Sequence, residues 1–117
     1  MAFIELNGLD QVDFTDVEGD GNNTDPGAIR IIALTKCGYC HHAMKVLKKR
    51  GVGYGYAYID KLPAETRGPL LRALKSHVSP AALLFPILLT DWGKFITGYD
   101  AEVWAEAGVD TGGTAES

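Results

Sequence analysis

Cys37 and Cys40 are the only two cysteines in the 117-residue chain, and two residues separate them. A lone pair at C-x-x-C spacing points to reversible thiol–disulfide exchange or soft-metal ligation rather than a permanent staple. A dithiol within one helical turn closes a small ring, which suits a bond that is made and broken. An apolar run precedes the pair and an amphipathic run follows it, so Cys37 is expected at a helix N-terminus. Unpaired N–H groups and the positive end of the helix dipole favour a thiolate there. Lys36, next in sequence, adds a positive charge. Cys40 is expected one turn in, on the apolar face, as the shielded resolving thiol.

The elements that must hold this pair read as an alternation of strands and helices. Residues 29–34 are mostly apolar and rich in β-branched isoleucine, as in a strand buried on both faces. After the cysteines, Cys40, Ala43, Met44 and Leu47 fall on one helical face, and Lys48, Lys49 and Gly51 supply a C-terminal stop. Residues 52–59 alternate large with small, placing Tyr54, Tyr56 and Tyr58 on one face of a second strand. The tyrosine stripe reads as packing, and the small face permits a close approach by a helix or backbone.

A helix is expected within residues 63–78, with Leu70, Leu71, Leu74 and Val78 as its stripe. Pro63 and Pro69 both suit first-turn positions, so either a second start or an interruption near Gly68-Pro69 is expected. Residues 85–97 read as a β-hairpin turning at residues 91–94, with Pro86 at its start. Asp100 stands where a helix N-cap belongs, opening a short helix to about Ala107. Trp92 is assigned to the hairpin turn, and Trp104 to packing of the last helix on the sheet.

With these elements in order, the sequence resembles the glutaredoxin family in three places. The run from Ile31 to His41, containing Cys37-Gly38-Tyr39-Cys40, resembles the family's active-site segment. Phe85-Pro86-Ile87-Leu88 resembles the strand that begins with a cis-proline facing the disulfide, and Gly98-Tyr99-Asp100 resembles its Gly-x-Asp. The resemblance implies an α/β, thioredoxin-like (glutaredoxin) fold with a four-stranded mixed sheet and helices on both faces.

It also implies a disulfide oxidoreductase in which Cys37 attacks and Cys40 resolves. Glutathione is the implied co-substrate. Its cysteine would lie along Phe85 and Pro86, its γ-glutamyl end at Gly98, Tyr99 and Asp100, its glycine carboxylate near Lys36, with Tyr39 lining the cleft. The implied partners are glutathione or a flavoprotein disulfide reductase, with oxidised or glutathionylated proteins as substrates, in electron transport and cell redox homeostasis. Lys36 adjoins the cysteine rather than standing a few residues before it, Phe85 is larger than the family's usual residue, and residues 79–84 look like an insertion.

Other chemistries fit less well. Cys37-Gly38-Tyr39-Cys40-His41 matches the C-x-x-C-H of haem attachment, which needs an export signal that the first residues do not resemble. A closed zinc site draws two ligand pairs from separate segments, and only one is present. The alternative reading is a [2Fe–2S] carrier, in which Cys37 and a glutathione from each of two chains hold a shared cluster. His41 and His42 read as exposed helix residues, and His77 as a helix-end cation.

Composition sets the outer bounds. Hydrophobic residues make up 46% and charged residues 22% of the chain, so one modest core can form. No apolar stretch approaches the ~20 residues of a membrane span. Residues 1–28 hold seven acids and no Lys or Arg, leaving the rest at +3 against a leader at −7. So small a positive charge gives no case for nucleic-acid binding. The expectation is a cytoplasmic monomer. Residues 1–28 are read as an acidic flexible extension, 29–109 as the glutaredoxin-like domain and 110–117 as a flexible tail. Within the leader, residues 18–27 lack the ligand spacing and final Glu of a calcium loop and read as linker.

Overall fold

The computed structural model describes residues 3–19 and 26–112. Strand β2, Ile29–Ala33, is the centre of the sheet, and all but Arg30 of its five residues are buried. It pairs in parallel with β3, Tyr54–Tyr58, and antiparallel with β4, Ile87–Thr90. Strand β5, Phe95–Thr97, completes the hairpin on β4. With β1, Thr15–Val17, the order is β1-β3-β2-β4-β5, so the sheet has five strands where four are expected from the sequence.

The fifth strand is the main correction to the sequence reading. Strand β1, Thr15–Val17, pairs antiparallel with β3 and occupies the sheet edge. The segment before it lies over the face of the sheet that helix α2, Ala64–His77, covers, where Leu6 is buried and Phe3, Ile4, Leu9, Val12 and Phe14 pack around it. The expectation of a solvated leader therefore gives way for residues 3–17. The small face of β3 makes this possible. A Cβ on Gly55 would meet Phe14 Cβ at 3.3 Å and Asp16 Oδ1 at 3.1 Å, so the bare backbone admits the segment. The linker assignment for residues 20–25 lies outside the described residues.

Two cores sit on the two faces of the sheet. Ile29, Ile31 and Ala33 point to one face, against the buried side of helix α1 (Gly38–Lys49) and Trp104 of helix α3 (Ala101–Glu106). Ile32, Ile87 and Leu89 point to the other, against Leu70 and Leu74 of helix α2 (Ala64–His77). The register explains this split, because side chains alternate across a strand. The tyrosine stripe belongs to the first face, with Tyr56 edge-on to Tyr58 at 5.4 Å. Burial raises the pKa values of Tyr54 and Tyr58 above the ordinary phenol value.

Helix α2 runs continuously through Pro69, against the expected interruption. Pro69 forfeits one hydrogen bond, but Leu70 and Leu74 beyond it are fully buried, and that burial keeps the helix continuous across the gap. At the C-terminus the frayed-tail expectation is corrected for residues 110–112. Arg50 pairs with Asp110 at 3.0 Å, and buried Thr111 donates its hydroxyl to Ala101 O at 2.6 Å. Residues 113–117 lie outside the described residues.

Candidate functional site

The cysteines sit where β2 ends and α1 begins. Cys37 is the N-cap of α1, in extended conformation, and its Sγ accepts from the Cys40 N–H at 3.1 Å. The sulfur thus occupies the position a serine or aspartate oxygen holds in an ordinary cap, facing the helix N–H groups. Cys37 and Cys40 are joined as a disulfide. Their surroundings differ: Cys40 is completely buried, whereas Cys37 is partly exposed. An incoming reagent meets Cys37 first.

The loop carrying Cys37 is held from two sides. Asp60 accepts from Thr35 N at 3.1 Å through one carboxylate oxygen and from the Thr35 hydroxyl at 2.5 Å through the other. The hydroxyl bond, foremost, holds the Asp60 carboxyl below the ordinary carboxylate pKa. His41 reaches back so that its Nε2 lies 2.8 Å from Thr35 O, which makes it a clamp on the loop rather than a free helix residue. Asp60 carries no local signal of this role, because its partner is 25 residues away.

Opposite the disulfide stands the Phe85–Pro86 peptide bond, which is cis. Cys37 Sγ lies 3.9 Å from the Phe85 carbonyl oxygen. The cis turn brings that carbonyl to the sulfur and lets β4 start from the same point. Gly98, with φ of +81°, donates its N–H to Pro86 O at 2.8 Å and to Leu84 O at 3.0 Å. Only glycine adopts this left-handed turn without strain, and the turn delivers Tyr99 and Asp100 to the same side as the sulfur. Asp100 caps α3, its Oδ1 accepting from Glu102 N at 3.0 Å and Val103 N at 3.2 Å. Trp104 is fully buried and donates its Nε1–H to Gly98 O at 3.0 Å, fixing the base of the turn.

These parts enclose a groove of about 480 Å³ between α1, the cis-proline turn and α3. Tyr39, Phe85, Gly98, Tyr99 and Asp100 all line it, so five sequence-selected residues converge. Pro86 lies beneath, buried at the start of β4. Lys36 is exposed and does not line the groove, which fits its departure from the expected spacing. Leu84, Ile96, Thr97 and Val103 complete the lining and were not singled out from sequence. Burial, with Asp100's charge second, raises the Tyr99 pKa. For a cluster shared between chains, Cys37 is the sulfur this chain can present, because Cys40 is sealed and His41 is engaged with Thr35. A larger cavity, lined by the N-terminal segment, Arg30 and α2, lies apart from the disulfide.

No protein-family model matches the sequence, and no curated protein sequence matches it. Solved structures do match. The glutaredoxin from Methanosarcina mazei superposes with a TM-score of 0.64 at 23% identity, over 80% of this chain and 85% of that one. Methanosarcina acetivorans methanoredoxin gives 0.56 at 26% identity, over 68% and 81%. The glutaredoxin grx-1 from Archaeoglobus fulgidus gives 0.56 at 24% identity, over 74% and 96%.

Proposed function

From a chain with the thioredoxin-like fold of glutaredoxins and a redox-type C-x-x-C disulfide, we propose a dithiol oxidoreductase that reduces disulfides through Cys37 and Cys40. The observation that carries this reading is the asymmetry of the pair. One sulfur caps a helix, partly exposed and 3.9 Å from the carbonyl oxygen of the groove residue Phe85, and the other is completely buried.

In the reduced protein the helix N–H groups and the nearby Lys36 charge stabilise the Cys37 thiolate. The thiolate attacks one sulfur of a substrate disulfide. A Cys37–substrate bond forms, the substrate bond breaks, and the second substrate sulfur departs as a thiolate that water protonates. Cys40, one turn along α1, then loses its proton and attacks Cys37 Sγ. The internal disulfide closes and the first substrate sulfur leaves as a thiol. Two electrons have passed to the substrate, and two must return. They come from a small thiol such as glutathione, two molecules giving one disulfide, or from a flavoprotein disulfide reductase.

Substrate lies along the Phe85–Pro86 turn, with Tyr39, Gly98, Tyr99 and Asp100 around it. Oxidised or glutathionylated proteins supply the disulfide. The test is a coupled assay that compares glutathione plus glutathione reductase with thioredoxin reductase, each against a disulfide substrate. Turnover with either donor supports the reading. No turnover with both, together with a cluster held through Cys37 under anaerobic purification, replaces it with the carrier reading.

A further inference from the structure

Among the described residues, the large apolar side chains left exposed are Tyr39, Leu84 and Val103. They come from α1, the segment before β4, and α3, yet all three line the groove beside the disulfide. Single exposed apolar residues are ordinary; convergence of all three on one groove, whose Phe85 carbonyl oxygen lies 3.9 Å from Cys37 Sγ, is an interaction surface. The wall that carries Leu84 is built, not loose. Thr97 donates its hydroxyl to Ala82 O at 2.8 Å, Leu84 N donates to Ala82 O at 3.0 Å, and Gly98 N donates to Leu84 O at 3.0 Å.

The charge of the same groove is the second observation. No Lys, Arg or His lines it, and Asp100 supplies its one formal charge, which is negative. Lys36 is not part of the lining, and His42 packs its ring edge-on to Tyr99 at 5.6 Å without joining it. Glutathione carries two carboxylates and one ammonium. The ammonium could meet Asp100, but neither carboxylate finds a cation in the lining, and the tripeptide has no large apolar side chain for Leu84 and Val103. A stretch of protein chain has the opposite profile: a neutral backbone, and side chains beside the cysteine that can be apolar.

Resting on the oxidoreductase reading, we infer that this groove selects an extended protein segment over glutathione. Apolar side chains flank the target cysteine of that segment, and a basic residue faces Asp100. The step is the same exchange: the Cys37 thiolate forms the new S–S bond, and the segment's former partner sulfur leaves as a thiolate that takes a proton from water.

The experiment uses the full chain carrying Cys40→Ser, so that the mixed disulfide with Cys37 accumulates and is read by mass spectrometry. Four probes are compared at one pH. The first is a peptide with Leu on both sides of its cysteine and a Lys beyond, presented as a mixed disulfide with 2-mercaptoethanol. The others are its Gly/Glu counterpart, glutathione disulfide, and bis(2-hydroxyethyl) disulfide. The Leu/Lys peptide is expected to react about tenfold faster than the Gly/Glu peptide and glutathione disulfide, the size of one well-buried apolar contact. Adding Leu84→Ser or Val103→Ser should shrink that ratio about threefold. Glutathione disulfide keeping pace with the Leu/Lys peptide overturns the inference, whether or not those variants fold. A preference that survives both substitutions in folded protein overturns it too. Failure of all four probes, bis(2-hydroxyethyl) disulfide included, sinks the oxidoreductase reading itself.

Discussion

Two helices direct their N-termini toward the groove, and they are capped by different chemistry. Helix α1 is capped by the sulfur of Cys37, and α3 by a carboxylate oxygen of Asp100. Both caps satisfy N–H groups that would otherwise be orphaned. Only one of them changes its bonding during the proposed reaction. The sulfur is thiolate, mixed disulfide or internal disulfide in turn, so the electrostatics at the start of α1 follow the redox state. The Asp100 carboxylate is permanent, with one oxygen already committed to two N–H donors of α3. One end of the groove is therefore reactive and the other is fixed scaffolding, although the local geometry is of the same kind.

The sharpest way to break this comparison is to exchange sulfur for oxygen. In Cys37→Ser the hydroxyl is a good N-cap, so the thermal midpoint should stay within a few degrees of the reduced wild type while turnover disappears. Cys40→Ser should keep exchange at Cys37 with small disulfides and lose most reduction of protein disulfides, because the trapped intermediate is no longer released. Retained turnover in Cys37→Ser would show that the chemistry lies elsewhere.

The next largest effect lies off the groove. A chain that begins at Gly27 loses β1 and the apolar residues around Leu6, exposing the α2 face. Removing one buried leucine costs roughly 2–5 kcal/mol, so the midpoint should fall by more than about ten degrees. Calorimetry settles it, and an unchanged midpoint would mean that the segment contributes no packing.

Asp100→Ala tests the fixed cap. It should cost about 1 kcal/mol, a shift of several degrees, while Asp100→Asn recovers most of it, since either side chain caps well. Alkylation of Cys37 in the same variants measures how far the two ends are independent, and equal rates are expected.

The smallest effect concerns Asp60, which holds Thr35 near the reactive cap. Its carboxyl is held below the ordinary value of about 3.9, so its contribution is complete above that pH and is lost as pH falls through the lower folded value. Wild type should exceed Asp60→Asn in thermal midpoint near pH 6, and the gap should narrow toward pH 2. A gap that widens on acidification would contradict the assigned cause.

The groove was largely legible in the sequence because its signals are short. Cys37 with Cys40, Phe85-Pro86, and Gly98-Tyr99-Asp100 each declare themselves within a few residues, and the fold brings all of them together. Strand β1 was not legible. Two of its three residues, Thr15 and Asp16, are exposed at a sheet edge, so no buried alternation marks it. The residues that seal the α2 face, Leu6, Leu9, Val12 and Phe14, follow neither a strand nor a helix period and are interleaved with acids. Pro69 misled in the other direction. A local breaker signal was overridden by the burial of Leu70 and Leu74, which only the tertiary structure supplies. Leu84 and Val103 are apolar residues whose exposure no local pattern reveals.

The Arg50–Asp110 pair decides where this molecule can be fastened to something else. Arg50 is the C-cap of α1, and the chain near Asp110 is tied to it at 3.0 Å, with Gly112 packed tightly against the same guanidinium. A twelve-residue helix is about 18 Å long, so this anchor stands a helix length away from Cys37. A linker, dye or electrode tether attached at residue 112 thus leaves from the far end of α1 and keeps the groove open. Immobilised protein should alkylate at Cys37 as fast as protein in solution. Attachment through the surface of α3 would place the tether at the groove wall formed by Val103 and slow it.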